Sequence, residues 1–179
     1  MKLWGALSAA ASGWMMILRG DEDWRDHFAL TLPGLVTSMV IFLFCAFLAI
    51  AMASTYQGMP GFFGILDALV AQALWIVAVL LSVLINTRIL RSEISKFDMM
   101  VPAIYLLVFF LLVGSLFNLV MPLAVLALTV ALGYPFYRMG RVIAGWPAAN
   151  ALVFAVLTLV LLVGLPLALY MLTNTNPAI

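Results

Sequence analysis

Charged side chains are scarce in this sequence, and their scarcity excludes an ordinary soluble domain. Eight Lys and Arg and seven Asp and Glu make up 8% of the 179 residues, whereas 67% of the residues are apolar. A soluble domain carries about 25% charged residues, because its water-facing surface needs them. The net charge of +1 carries little information, because the placement of positive residues matters more than their sum in a membrane protein, and we expect no nucleic acid partner. We therefore expect lipid to be the main solvent of this chain.

Cysteine, histidine and catalytic motifs are also nearly absent. The single cysteine, Cys45, excludes an intramolecular disulfide and a cysteine-based metal cluster. The single histidine, His27, lies beside Asp23 and Asp26, and we interpret this weak ligand set as solvated boundary residues. Motifs of zinc hydrolases, serine nucleophile elbows and phosphate-binding loops are missing. The sequence predicts that the protein is not an enzyme and uses no cofactor or metal.

Long charge-free runs occupy most of the chain, and they predict five membrane-spanning helices. The runs cover residues 28–66, 68–87, 99–137 and 142–179. About 20 helical residues cross the hydrocarbon core, so the runs at 28–66 and 99–137 are each too long for a single crossing. Turn-forming residues at 54–61 divide the first run. The run at 99–137 is either one bent helix or a hairpin, and the hairpin keeps the basic clusters before and after it on one side. We predict helices at about 32–53, 63–86, 102–117, 121–137 and 147–172.

The predicted fold class is an all-α, polytopic membrane helix bundle with an additional N-terminal interfacial amphipathic helix. Residues 1–27 form the cytoplasmic or interfacial segment, and residues 28–179 form the transmembrane domain. Within the segment, a stripe at helical spacing indicates amphipathicity. Placing every Lys and Arg in the cytoplasm predicts a bacterial inner-membrane protein with a cytoplasmic N-terminus and an outside C-terminus. The stripe consists of Leu3, Leu7, Trp14 and Leu18.

Two Arg-x-x-Arg pairs form a weak internal repeat. The pairs Arg88/Arg91 and Arg138/Arg141 lie 50 residues apart, and each follows a charge-free stretch. Residues three apart share one helical face. One hypothesis is that the four guanidinium groups bind anionic lipid headgroups or an acidic partner surface. The alternative is that they are topological anchors whose side chains reach the cytoplasmic interface.

Asp67 is the one acidic residue close to a predicted span. A carboxylate inside the membrane is costly, so Asp67 is a candidate ion or proton site. If it lies one turn inside the second span, it is instead interfacial and stabilises the positive N-terminal end of that helix. Gln72, Ser82 and Thr129 are candidates for interhelical hydrogen bonds, and Asn86 is a polar group near a helix end.

The layout resembles the bacterial branch of the YIP (Ypt-interacting protein) family of five-helix membrane proteins. The resemblance covers about residues 14–172 and consists of the lead-in at residues 14–18, Pro33 before helix one and Pro102 at the start of helix three. It carries over no functional residue. It implies a non-enzymatic membrane organiser or accessory subunit.

Three functions remain open. The leading hypothesis is a non-catalytic accessory or scaffold protein that contacts membrane lipids and a protein partner, or a second copy of itself, through its helix surfaces. The alternative is a small oligomeric transporter or channel subunit, in which Asp67, Gln72 and Asn86 face a common water-filled interior. A third is a lipid-modifying enzyme, which needs a headgroup-sized polar cavity beside the arginine pairs.

Overall fold

A computed structural model of the protein describes residues 3–58 and 61–174. The described residues form α-helices and one short 3₁₀ helix, without any β-strand, so the all-α prediction is confirmed. The 3₁₀ helix covers Glu22–His27, between the first and second α-helices. The α-helices are α1 (Leu3–Arg19), α2 (Leu32–Gln57), α3 (Phe62–Ile89), α4 (Lys96–Val120), α5 (Pro122–Ala131), α6 (Gly133–Val142) and α7 (Ala148–Asn174).

Within the described residues, five helical stretches are long and apolar enough to cross a membrane, as the sequence predicts. Four of them lie within α2, α3, α4 and α7, and the fourth in chain order combines α5 with α6. The run at residues 99–137 is therefore divided between helices that are joined at Met121. The stretches are Leu32–Ser54, Phe62–Ile89, Lys96–Asn118, Leu123–Val142 and Ala148–Leu172.

The helix α4 begins at Lys96 rather than at the predicted Pro102. The prediction took the proline as a helix start, but Pro102 lies inside the helix. A proline there removes one intrahelical hydrogen bond, a cost that surrounding packing can offset. Asp98 lies in the first turn, where its negative charge favours the positive end of the helix.

The fourth span is broken at Leu132, whereas the sequence predicted one helix ending at Tyr137. Pro135 has no N–H with which to donate to the carbonyl of Ala131, so the regular hydrogen-bond ladder is interrupted there. The helix then resumes as α6 and continues to Val142. Arg138 therefore lies on a helix and not in a loop.

The helix α4 is the centre of the bundle. It packs against α2, α3 and α5, while α7 packs against α3 and α6. Aromatic contacts join these layers: the Trp75 and Phe110 ring centroids are 5.2 Å apart, and those of Phe136 and Phe154 are 6.1 Å apart. Large apolar side chains remain exposed on the outer faces of α2 and α7. In a membrane protein these faces contact lipid.

The helix α1 packs against α4 and α6 through small and aromatic side chains. Of the predicted stripe, only Trp14 is fully buried, Leu7 and Leu18 are half-buried, and the side chain of Leu3 lies outside the described residues. The small alanines let α1 approach the bundle closely, a feature that a ranking by hydrophobicity misses. The buried side chains of α1 are those of Ala6, Ala10, Trp14 and Ile17.

Close packing of α6 on α7 requires a glycine at position 140. A Cβ atom added to Gly140 would lie 3.0 Å from the Cβ and 3.1 Å from the Cα of Ala151. We expect Gly140→Ala to lower the free energy of unfolding in detergent micelles by about 1–3 kcal/mol, because the two helices must separate. The matched control is Gly164→Ala in α7, where an added Cβ meets nothing within 4 Å. Equal melting temperatures for the two variants would contradict this packing.

Candidate functional site at the charged end

Charged side chains concentrate at one end of the bundle, which we call the charged end. Five antiparallel spans bring the start of α2, the end of α3, the start of α4, the end of α6 and the start of α7 together. Contacts of α1 with α4 and α6 add the N-terminal segment to this end. Asp67 lies near the start of α3, at the opposite end. The described cations of the charged end are Arg19, Arg25, Arg88, Arg91, Lys96, Arg138 and Arg141.

A buried hydrogen bond ties α1 to α4. The indole Nε1–H of Trp14 donates to the carbonyl oxygen of Pro102 at 2.9 Å. A salt bridge of 3.2 Å between Arg25 and Asp98 joins the 3₁₀ helix to the same helix. Because the Arg25 side chain is 58% exposed, this ion pair contributes less than about 1 kcal/mol. Both contacts attach the N-terminal segment to α4, and the Trp14 bond is the one that is buried from solvent.

Arg138 and Arg141 bind backbone carbonyl groups of the protein itself. The Nη2 of Arg138 donates to the Ile17 oxygen at 3.4 Å, in the last turn of α1, where the helix dipole favours a cation. The Nη1 of Arg141 donates to the Trp146 oxygen at 2.9 Å and closes the turn between α6 and α7. The Nε of Arg138 is buried and has no hydrogen-bond partner among the described residues. Both side chains stabilise helix ends.

Arg88 and Arg91 are exposed at the end of α3, and their guanidinium groups form neither a hydrogen bond nor an ion pair with any described residue. Arg91 also has a left-handed backbone conformation, with φ at 46°. The helix α7 packs against both α3 and α6, so the two arginine pairs flank α7. Their equal spacing in the sequence gave no indication that one pair is engaged and the other free.

The residues suggested for an ion pathway do not share an interior. Asp67 is exposed. Gln72 lines a cavity between α2, α3, α4 and α5, and Asp67 is not among its lining residues. Asn86 lies 14 residues beyond Gln72 on α3, or about 21 Å along the helix. Its amide donates to the Ser82 oxygen at 2.9 Å, and the Ser82 hydroxyl contacts the Thr158 hydroxyl at 2.6 Å. The Asn86 bond lies within α3, whereas the contact between Ser82 and Thr158 holds α3 against α7.

Two cavities were not anticipated from the sequence. One, of about 650 Å³, lies at the charged end between α1, α2 and Tyr105 of α4; it is mainly apolar, and none of the four paired arginines lines it. The other, of about 280 Å³, contains Gln72, Ser115 and Asn118. The sequence signal for the second is the group of small and polar residues at 114, 115 and 118. No group of three metal-ligating side chains occurs within residues 3–58 and 61–174.

We expect Trp14→Phe to loosen α1 from the bundle, because phenylalanine lacks the donor and leaves the Pro102 carbonyl without its indole partner. Amide hydrogen exchange of residues 3–27 in detergent micelles should become faster. The control is Trp4→Phe in the same helix, since Trp4 is 83% exposed. If both variants exchange like the parent protein, the Trp14 hydrogen bond does not anchor α1.

Comparison with known protein families, with curated proteins and with solved structures finds no match for this chain. The functional assignment therefore depends on the geometry of its own residues.

Proposed function

We propose that this protein is a non-catalytic accessory or scaffold protein of a bacterial inner membrane. In this proposal its N-terminus is cytoplasmic, its C-terminus is outside, and the charged end presents a preformed surface to a protein partner and to anionic lipid headgroups. The observation that carries the proposal is that polar groups inside the bundle and ionisable groups at the charged end lie in different surroundings. Most polar groups inside the bundle bond to a neighbouring helix or to their own backbone, whereas most ionisable groups are exposed at the charged end.

The contacts that attach the N-terminal segment to the bundle support a docking role of the charged end. The segment that precedes the first span is held by the Trp14 bond, the Arg25 salt bridge and the Arg138 contact with α1. A partner would therefore meet a surface that is already ordered, which reduces the entropic cost of binding. The five-helix layout, which resembles the YIP family, favours the same class of function.

The free arginine pair is the best candidate for the contacting groups. Arg88 and Arg91 flank Ile89, which is 72% exposed, so this turn combines two cations with an apolar side chain. Arginine binds phosphate and carboxylate groups with two parallel hydrogen bonds. Basic side chains next to a span attract anionic lipid by about 1 kcal/mol each.

Replacing each arginine pair with glutamine should produce a different effect: reduced lipid retention for one pair and reduced stability for the other. We expect Arg88→Gln with Arg91→Gln to reduce the phosphatidylglycerol retained by the purified protein, measured by native mass spectrometry, without changing its melting temperature. Arg138→Gln with Arg141→Gln should lower the melting temperature, because backbone carbonyls at two helix ends lose their donors. Unchanged lipid retention in the first double variant would exclude headgroup binding by Arg88 and Arg91.

A photocrosslinking amino acid at position 89 tests the scaffold role in native membranes. The matched control is position 62, because Phe62 is 76% exposed at the opposite end. The proposal expects a discrete protein adduct at position 89 that disappears when Arg88 and Arg91 are replaced. Lipid adducts alone, or the same adducts at both positions, would contradict a partner at the charged end.

The proposed orientation predicts which side of the membrane each residue faces. In a protein with Cys45→Ala, we expect Arg91→Cys and Arg138→Cys to resist a membrane-impermeant maleimide in intact cells and to react in inverted vesicles. Phe62→Cys should react in intact cells. Labelling of Arg91→Cys and Arg138→Cys from opposite sides would overturn the five-span topology.

A further inference from the structure

The cavity of about 280 Å³ lies between α2, α3, α4 and α5, in the half of the bundle away from the charged end. We propose that it binds a small, neutral, membrane-soluble molecule that carries a hydroxyl group. This site is independent of the charged end and of any partner that docks there. Four features carry the inference: the open space, an unpartnered amide oxygen, an aromatic wall and a lining without charge.

Small residues create the space. Ala49 and Ala53 of α2 and Gly114 of α4 line the cavity. A Cβ atom added to Gly114 would meet only Leu128 Cδ2, at an ordinary distance of 3.8 Å. Gly114 is therefore not required for close helix packing, unlike Gly140, where an added Cβ lies 3.0 Å from its neighbour. The volume at Gly114 is instead left open between the helices.

The amide oxygen of Gln72 gives the cavity its polar specificity. This Oε1 atom is buried and accepts no hydrogen bond from any described residue. A buried acceptor without a donor costs about 1–3 kcal/mol, and no bulk water is available within hydrocarbon to compensate. The Ser115 hydroxyl donates to the Leu111 carbonyl at 2.6 Å, so its oxygen can only accept a further bond. A ligand that donates a hydrogen bond would therefore satisfy either of these two oxygen atoms.

The other lining residues indicate the chemistry of the rest of the ligand. Trp75 and Phe110 line the cavity with their rings 5.2 Å apart, which provides an aromatic surface for an apolar body. No ionisable side chain is among the lining residues, and Asp67 does not reach it. A neutral molecule is therefore favoured over an ion. Gln72 lies ten residues beyond Phe62, about 15 Å from the helix start, so the hydroxyl group would bind at membrane depth.

The fluorescence of Trp75 can report the binding of a ligand in the cavity. The other tryptophans, at positions 4, 14, 24 and 146, belong to α1, the 3₁₀ helix and the turn before α7. The part of the fluorescence that is lost in Trp75→Phe therefore comes from the residue that lines the cavity. We would titrate the protein in phosphatidylcholine vesicles with tribromoethanol, a hydroxyl-bearing quencher of tryptophan fluorescence. Tribromoethane, which lacks the hydroxyl group, is the matched probe.

We expect saturable quenching of Trp75 by tribromoethanol and about fivefold weaker binding to Gln72→Leu, the change expected for one lost neutral hydrogen bond. Tribromoethane should bind the parent protein no better than tribromoethanol binds Gln72→Leu. Gly114→Leu should abolish saturable quenching by filling the space, whereas Gly164→Leu, placed where nothing lies within 4 Å of an added Cβ, should not.

Equal, non-saturable quenching by both probes would overturn the proposal, because it would report partitioning into lipid only. Saturable binding that is unchanged in Gln72→Leu would also overturn it. The parent protein and the Gln72→Leu variant decide the question even if Gly114→Leu fails to fold. Loss of partner crosslinking at the charged end would leave this result unaffected, so the two proposals fail separately.

Discussion

Hydrocarbon offers no hydrogen-bond partner, and this constraint governs the arrangement of the whole protein. Polar side chains between the two ends of the bundle bond to neighbouring helices or to their own backbone. Ser82 contacts Thr158 across α3 and α7, and the Trp14 indole donates to Pro102 of the central helix. These bonds fix how the apolar helices pack, because apolar surface alone would be equally well solvated by lipid. Gln72 stands apart from them, since its buried oxygen has no described partner.

The two ends of the bundle therefore differ in chemistry. The charged end holds most ionisable groups, anchors the N-terminal segment and leaves Arg88 and Arg91 free at its surface. The opposite end has Asp67 exposed and a neutral cavity below it in the bundle. A surface with free cations suits contacts with other molecules, while a small neutral cavity suits a ligand dissolved in the membrane. One compact bundle can carry both, because they lie at different depths.

The two arginine pairs differ in their contacts in a way that the sequence alone does not predict. Their spacing is identical, yet the side chains of Arg138 and Arg141 donate to backbone carbonyls, whereas the side chains of Arg88 and Arg91 form no bond with any described residue. The difference depends on neighbours that are distant in sequence: Ile17 is 121 residues from Arg138. Likewise, Gly114 and Gly140 are both glycines within or next to spans, but only Gly140 lies against another backbone. Local patterns contain no information about such contacts.

By itself, the sequence determined the solvent, the helical class and the number of spans, because the length of apolar runs and the placement of charge are local properties of the chain. Only the tertiary structure decided that α4 occupies the centre, that Trp14 anchors α1, which arginines are free and where Gln72 meets an open space. These features depend on which helix faces are in contact. In a chain that is apolar on nearly every face, hydrophobic periodicity cannot distinguish a lipid-facing side from a protein-facing one.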